Sequence, residues 1–204
     1  MTRQAVELAT TLSSSFAQDV NSDGLLGLAF SKLNTVQPTS QKTFFDNVKP
    51  SLAQPLFTAD LKHATTGSYE FGNIDSSKFS GSLTYVPIDS SQGFWQFRSD
   101  RFSVGGQEQQ NPGASPAIAD TGTSLMLVDD AVAQAYYSQV QGAQNDPNVG
   151  GYTFPCSSTL PDFAVGAGGS YMAVIPGSDI NFAPVDPQSQ SKSLPTRCRA
   201  TVHE

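Results

Sequence analysis

One aspartate in this chain stands where it could do chemistry. Asp120 follows the apolar run Pro116-Ala117-Ile118-Ala119 and opens the turn Thr121-Gly122-Thr123-Ser124, after which Leu125-Met126-Leu127 resumes. A carboxylate between two apolar flanks is costly to bury unless hydrogen-bonded. The Gly122 amide and the Thr121 and Thr123 hydroxyls lie close enough in sequence to supply those bonds. Strand, tight turn, strand is the simplest geometry, and it presents an acid on a rigid sheet element where a general base can face a cleft. The same residues are ordinary turn formers, so the tetrapeptide alone does not separate a catalytic acid from a loop.

Peptide-bond hydrolysis by carboxylates takes two of them sharing a proton, because one acid cannot both activate water and protonate the departing amine. No other aspartate precedes Thr-Gly or Ser-Gly: Asp75 and Asp89 precede Ser-Ser, and Asp23 precedes Gly-Leu. The sequence therefore offers one half of such a pair. Other chemistries fare worse. There is no Gly-x-Ser-x-Gly elbow, His63 and His203 have no metal-ligand spacing, and Cys156 lacks a histidine partner. Asp19 to Gly24 matches the first half of a calcium loop, but Phe30 stands where the bidentate glutamate belongs. Gly166-Ala167-Gly168-Gly169 has no lysine and no following helix, so it reads as a hairpin turn rather than a phosphate loop. No metal and no cofactor is expected.

The elements that must position Asp120 are mostly strands. Short aromatic or β-branched runs lie between Gly, Ser, Asp and Pro clusters at 55–61, 68–72, 81–86, 93–97, 101–104, 150–154, 163–165 and 172–175. That spacing indicates a mainly β chain with a few short helices. Helical periodicity is confined to Ala5, Leu8, Ala9, Leu12 and Phe16, to Phe44, Phe45 and Val48 behind a Ser40 cap, and to Val132, Ala135, Tyr136 and Val140 behind Asp129 or Asp130. Leu25 to Phe30 reads as a buried strand. The stretch from Pro187 onward, rich in Gln, Ser and Lys and then Arg197-Cys198-Arg199, offers little to pack and is read as disordered or foreign to the fold.

With 204 residues, the chain can bury a sizeable core, and all-β units often run to about 200–250 residues. Only 14% of residues are charged and the net charge is -7, so neither nucleic acid nor an anionic membrane is an expected partner. A sparse charge set also suits work in acid. Cys156 and Cys198 fit one disulfide in an oxidising compartment, the preferred reading, or two unrelated thiols. No apolar segment is long enough to span a bilayer, and Met1-Thr2-Arg3 with Glu7 makes a poor signal peptide.

Ala117-Ile118-Ala119-Asp120-Thr121-Gly122-Thr123-Ser124-Leu125 resembles the second active-site motif of pepsin-like aspartic endopeptidases, the fungal secreted members above all. Asp23 to Phe30 is similar to the segment closing that family's amino-terminal lobe. Phe44 to Val48, Gln54-Pro55-Leu56-Phe57, Phe71 to Asp75 and Gly93 to Phe97 are similar to its connector and carboxy-terminal lobe, in the same order. The resemblance implies an incomplete pepsin-like fold: residues 1–36 a remnant of the amino lobe, 37–66 the connector, 67–186 most of the carboxy lobe and 187–204 a divergent tail. It implies Asp120 as the carboxy-lobe catalytic acid, Gly122 and Thr123 as contacts to the substrate backbone, and Cys156 as the first half of a disulfide whose pairing with Cys198 stays open.

The family's other Asp-Thr-Gly and its flap fall before Met1 in family order, and its last hydrophobic-hydrophobic-Gly strand falls after the chain. The expectation is therefore an aspartic endopeptidase acting on polypeptides, secreted and monomeric when complete, of which this chain alone is inactive. The alternative is a non-catalytic peptide-binding module or truncated product of the same fold. Pairing of two chains, each lending an Asp120, is a third reading.

Overall fold

The computed structural model describes residues 3–113, 116–185, 197–200 and 202–203. They fall into two compact units, Met1–Leu83 with Ser90–Trp95, and Thr84–Asp89 with Gln96–Glu204. Among the described residues no helix is long and apolar enough to cross a membrane.

The first unit is built on aromatic rings. It contains the helices α1 (Ser14–Gln18) and α2 (Phe44–Val48) and the antiparallel pair β1 (Phe57–Asp60) and β2 (Ser68–Phe71), in register from Phe57 opposite Phe71 to Asp60 opposite Ser68. Phe45 packs edge-on to Phe57 with centroids 4.9 Å apart, and Phe57 meets Trp95 at 5.6 Å. Such edge-to-face contacts exceed the value of the buried area alone. Thr43, not Ser40, caps α2, its hydroxyl accepting the Asp46 amide at 3.2 Å. The helix starts three residues later than the sequence suggests, and the Ser40 hydroxyl donates to Asn34 instead.

Two sequence expectations fail in this unit for one reason. The helix expected over residues 3–18 shrinks to α1, and the strand expected at Leu25 to Phe30 is not formed. Leu8 is 88% exposed and Leu25 82%, so neither apolar pattern has a surface to press against. A short amphipathic helix is marginal without such packing. The segment is tied down near its two ends: Asn47 Nδ2 donates to Gln4 Oε1 at 2.8 Å, and Phe30 lies against Trp95, whose indole N–H donates to the Leu28 carbonyl at 2.8 Å.

The second unit is mainly β. In chain order it runs β3 (Gln96–Arg98), β4 (Arg101–Val104), β5 (Gln107–Gln110), β6 (Pro116–Ile118), β7 (Met126–Leu127), α3 (Asp130–Tyr137), β8 (Gln144–Asp146), β9 (Gly151–Pro155), β10 (Phe163–Ala167), β11 (Tyr171–Ile175), α4 (Gly177–Ile180), β12 (Asn181–Pro184), β13 (Arg197–Ala200) and β14 (Val202–His203). Among the described residues these form two four-stranded sheets, ordered β11-β10-β4-β5 and β12-β13-β9-β8, with β3 paired to β6 and β14 to β7. No strand forms over 81–86, whose Tyr85 is left exposed. Gly168, with φ +66, turns β10 into β11, the hairpin expected of the glycine-rich stretch.

The core of this unit gathers Phe102, Val104, Val132, Tyr136, Phe154, Phe163 and Ile180. α3 buries Val132, Ala133, Tyr136 and Tyr137, and the Tyr136 hydroxyl donates to the Pro161 carbonyl at 2.9 Å. Burial pushes the phenols of Tyr136 and Tyr137 well above their ordinary range, so both stay neutral.

The tail departs from its sequence reading. β13 is an inner strand between β12 and β9, with Cys198 opposite Phe154 and Pro184. Cys198 is joined to Cys156, the Cα atoms 4.9 Å apart, which corrects the doubt over that pairing. The Arg197 guanidinium bonds the Thr153 hydroxyl at 2.9 Å and the Thr153 carbonyl at 2.7 Å, satisfying a buried polar residue. Few apolar residues were visible here because the strand is anchored by a sulfur bridge and a guanidinium instead. The expected disorder of 187–196 lies outside the described residues.

Candidate active site

β6 and β7 hold the two ends of the Asp120 turn. β6 runs antiparallel to β3, with Ile118 opposite Gln96 and Pro116 opposite Arg98. β7 runs parallel to β14, with Met126 opposite Val202. Between them the carboxylate folds back on its own turn: Oδ1 accepts the Gly122 amide at 2.8 Å and Oδ2 accepts the Thr123 hydroxyl at 2.7 Å. The sequence leads to these donors, but the surroundings differ. The turn is exposed, so the apolar flanks deliver Asp120 to a surface and do not enclose it.

Asp120 and Thr123 border a hollow of about 760 Å³ whose apolar wall includes Phe97, Phe102, Met126, Val132 and Val165. Pockets of this size accept small ligands or peptide side chains. Two further carboxylates border it, and each has its own partner. Asp129 accepts Asn111 Nδ2 at 2.7 Å, and Asp179 accepts the Ser178 hydroxyl at 3.2 Å. Donors that meet the charged form of a carboxylate lower its pKa. That of Asp120 is lowered, first by the Thr123 hydroxyl and then by the Gly122 amide, with desolvation opposing. Asp120 is thus held in its ionised form by the donors of its own turn. No group of three or more metal-ligating side chains occurs among the described residues.

The depressed pKa fixes the sign of an acid response. Stability from these two bonds is present above the unfolded value and is lost as pH falls through the lower folded one. Asp120→Asn is therefore expected to be less stable than the native chain at pH about 6, the gap closing toward about pH 2. Because the group is exposed, the gap is small. Urea unfolding of both proteins across that range measures it, and a gap that widens in acid would contradict the assignment.

The two other residues expected at the site, Gly122 and Thr123, lie beside Asp120, whereas Cys156 is in the disulfide at the end of β9. Sequence reasoning passed over Asn111 and took Asp129 only as a helix cap, whereas the two tie the base of the segment carrying Asp120. Their signals were present, an Asn-Pro-Gly turn before the motif and an Asp-Asp helix start after it. Nothing in the linear order says that the two meet.

The model of a family described as eukaryotic aspartyl protease matches residues 1–198. Penicillopepsin-1 of Talaromyces stipitatus is 61% identical over 181 residues, covering 88% of this chain and 46% of the relative. Penicillopepsin-1 of Penicillium janthinellum is 60% identical over 181 residues, covering 89% and 55%. Aspergillopepsin-1 of Aspergillus oryzae is 56% identical over 189 residues, covering 92% and 46%. The chain spans about half the length of these relatives.

Proposed function

The chain belongs to the eukaryotic aspartyl protease family, and from that premise we propose that Asp120 is one of two aspartates with which the whole protein hydrolyses peptide bonds. The supporting observation is the carboxylate itself, ionised, exposed and bordering an apolar hollow large enough for peptide side chains. In this reading Asp120 takes a proton from water as the water oxygen attacks the scissile carbonyl. A second, protonated carboxylate protonates the carbonyl oxygen. Asp120 then passes the proton it took from water to the leaving nitrogen while the second carboxylate recovers a proton from the gem-diol hydroxyl, so that the C–N bond breaks and the amine departs.

Gly122 and Thr123 would meet the substrate backbone. The Gly122 amide and the Thr123 hydroxyl proton are already committed to Asp120, which leaves the Gly122 carbonyl and the Thr123 main chain for that contact. The substrate class is polypeptide, and a disulfide between Cys156 and Cys198 suits a secreted enzyme. The second acid is not supplied by these 204 residues in an Asp-Thr-Gly or Asp-Ser-Gly setting, so the chain alone is proposed to be inactive. The open hollow beside a single ionised acid also supports the second reading, a peptide-binding module.

Acid digestion of a denatured protein, with and without a statine-containing peptide inhibitor, tests this. The isolated chain is expected to give no inhibitor-sensitive cleavage, and a longer chain supplying a second Asp-Thr-Gly is expected to give cleavage that Asp120→Asn abolishes. Saturable binding of the inhibitor by both, without cleavage by either, would establish the binding module instead. Cleavage by the solitary 204-residue monomer would overturn the two-acid reading.

A further inference from the structure

Asp120 rides on an excursion that leaves the β4–β5 hairpin at Asn111 and rejoins the core at Asp129. The tip is held lightly. The bonds from the Gly122 amide and the Thr123 hydroxyl to the Asp120 carboxylate both arise within its own turn, so they fix the carboxylate to the turn and not the turn to the rest of the unit. The flanking strands are short, Pro116–Ile118 on one side and Met126–Leu127 on the other. A turn of this kind keeps one geometry only if its two ends are fixed.

The base is fixed to the sheet and to α3. The Asn111 amide N–H donates to the Asp100 carbonyl at 2.8 Å, tying the start of the excursion to the sheet. Asn111 Nδ2 donates to Asp129 Oδ2 at 2.7 Å in a part-buried bond across 18 positions of sequence. Asn111 Oδ1 accepts the Gly113 amide at 3.0 Å, so both ends of one amide side chain are engaged. The Asp129 carbonyl accepts the amides of Val132 and Ala133, two buried residues of α3, which anchors that end to the core. Gly113 meets the same carboxylate so closely that a Cβ there would sit 2.7 Å from Asp129 Oδ2. One carboxylate is thus gripped by Asn111 and crowded by Gly113, at the point where the excursion closes.

We propose that Asn111, Gly113 and Asp129 form a clamp that closes the base of the Asp120 excursion and so positions the Asp120 carboxylate at the rim of the hollow. The proposal rests on the reading of Asp120 as the reacting acid, and Asn111 is a positioning residue that acts through the chain without touching substrate. A side chain at Gly113 would have to displace the Asp129 carboxylate that Asn111 holds.

The test reads the carboxylate directly, by carbon-detected titration of Asp120 and by amide exchange at Gly122 in the full 204-residue chain. Asn111→Ala is expected to move the Asp120 midpoint up toward the ordinary carboxylate range and to speed Gly122 exchange about tenfold, the equivalent of one lost bond. Amides of β10 should be unaffected. Gly113→Ala, which leaves Asn111 intact and displaces the Asp129 carboxylate, should act in the same direction. Asp129→Asn keeps an oxygen for Asn111 Nδ2 and should stay near the native values.

Unchanged Asp120 titration and Gly122 exchange in both Asn111→Ala and Gly113→Ala, or equal loss of protection at β10, would reduce the clamp to core closure and overturn the proposal. The endopeptidase reading fails separately. A longer chain that neither cuts nor binds peptide would remove it while the clamp's effect on Asp120 stood.

Discussion

Replacing Cys198 by serine lowers the stability of the second unit by about 4 kcal/mol at 25 °C, the chain-entropy value for a closed loop of this length. The bridge joins Cys156 to Cys198 across 42 positions, so its loss releases a long loop into the unfolded ensemble. A second effect adds to the first. Cys198 is 4% exposed in the inner strand β13, and a serine hydroxyl there would be buried opposite Phe154. The edge strand β12 pairs only through β13 in this sheet, so loosening β13 frees β12 as well. Urea unfolding with and without reductant measures the effect. Reductant should bring the native midpoint down most of the way to that of Cys198→Ser, the remainder being the buried hydroxyl, and leave the variant's midpoint in place. A variant within about 0.5 kcal/mol of the native chain, the range of an inconsequential surface change, would contradict the bridge.

The same strand marks where sequence reading stopped. β4, β9, β10 and β11 were legible because alternating or continuous apolar runs between turn residues carry their own signal. α3 was legible because Val132 and Tyr136 recur at helical spacing and are buried, although the expected period runs on to Val140, past the end of the helix at Tyr137. β13 carries no such signal. Arg197-Cys198-Arg199 is a strand only because Thr153 accepts a guanidinium and Cys156 accepts a sulfur, and both partners lie more than forty residues earlier. The reverse error occurred near the amino terminus, where Leu8, Leu12, Leu25 and Leu26 are patterned for burial yet exposed. Periodicity reports what a segment could bury, not whether a partner surface is there.

The site divides along the same line. Asp120, Gly122 and Thr123 are neighbours in sequence, and the turn that joins them is local chemistry, so the donors were foreseeable. The exposure of Asp120 and the Asn111–Asp129 bond depend on how an excursion closes in space. A tetrapeptide motif has nothing to say about that.

Phe163→Ala is expected to cost about 3–5 kcal/mol, the range for emptying a buried aromatic site. Phe163 has no exposed surface and begins β10, an inner strand between β11 and β4. Its ring meets Tyr136 edge-on at 5.5 Å and lies 6.4 Å from Phe102, so it couples the sheet to α3. Both contacts bear on the candidate site. α3 begins at the Asp129 end of the excursion, and β4 follows Asp100, which receives the Asn111 amide. A cavity at Phe163 therefore weakens the two supports between which the Asp120 excursion is hung. Phe163→Leu, which keeps most of the volume, should cost less than about 1.5 kcal/mol. Calorimetric unfolding of both variants gives the comparison, and Gly122 amide exchange in the same samples shows whether the loss reaches the turn. Equal destabilisation by leucine and alanine would mean that ring shape, rather than filled volume, holds α3 to the sheet.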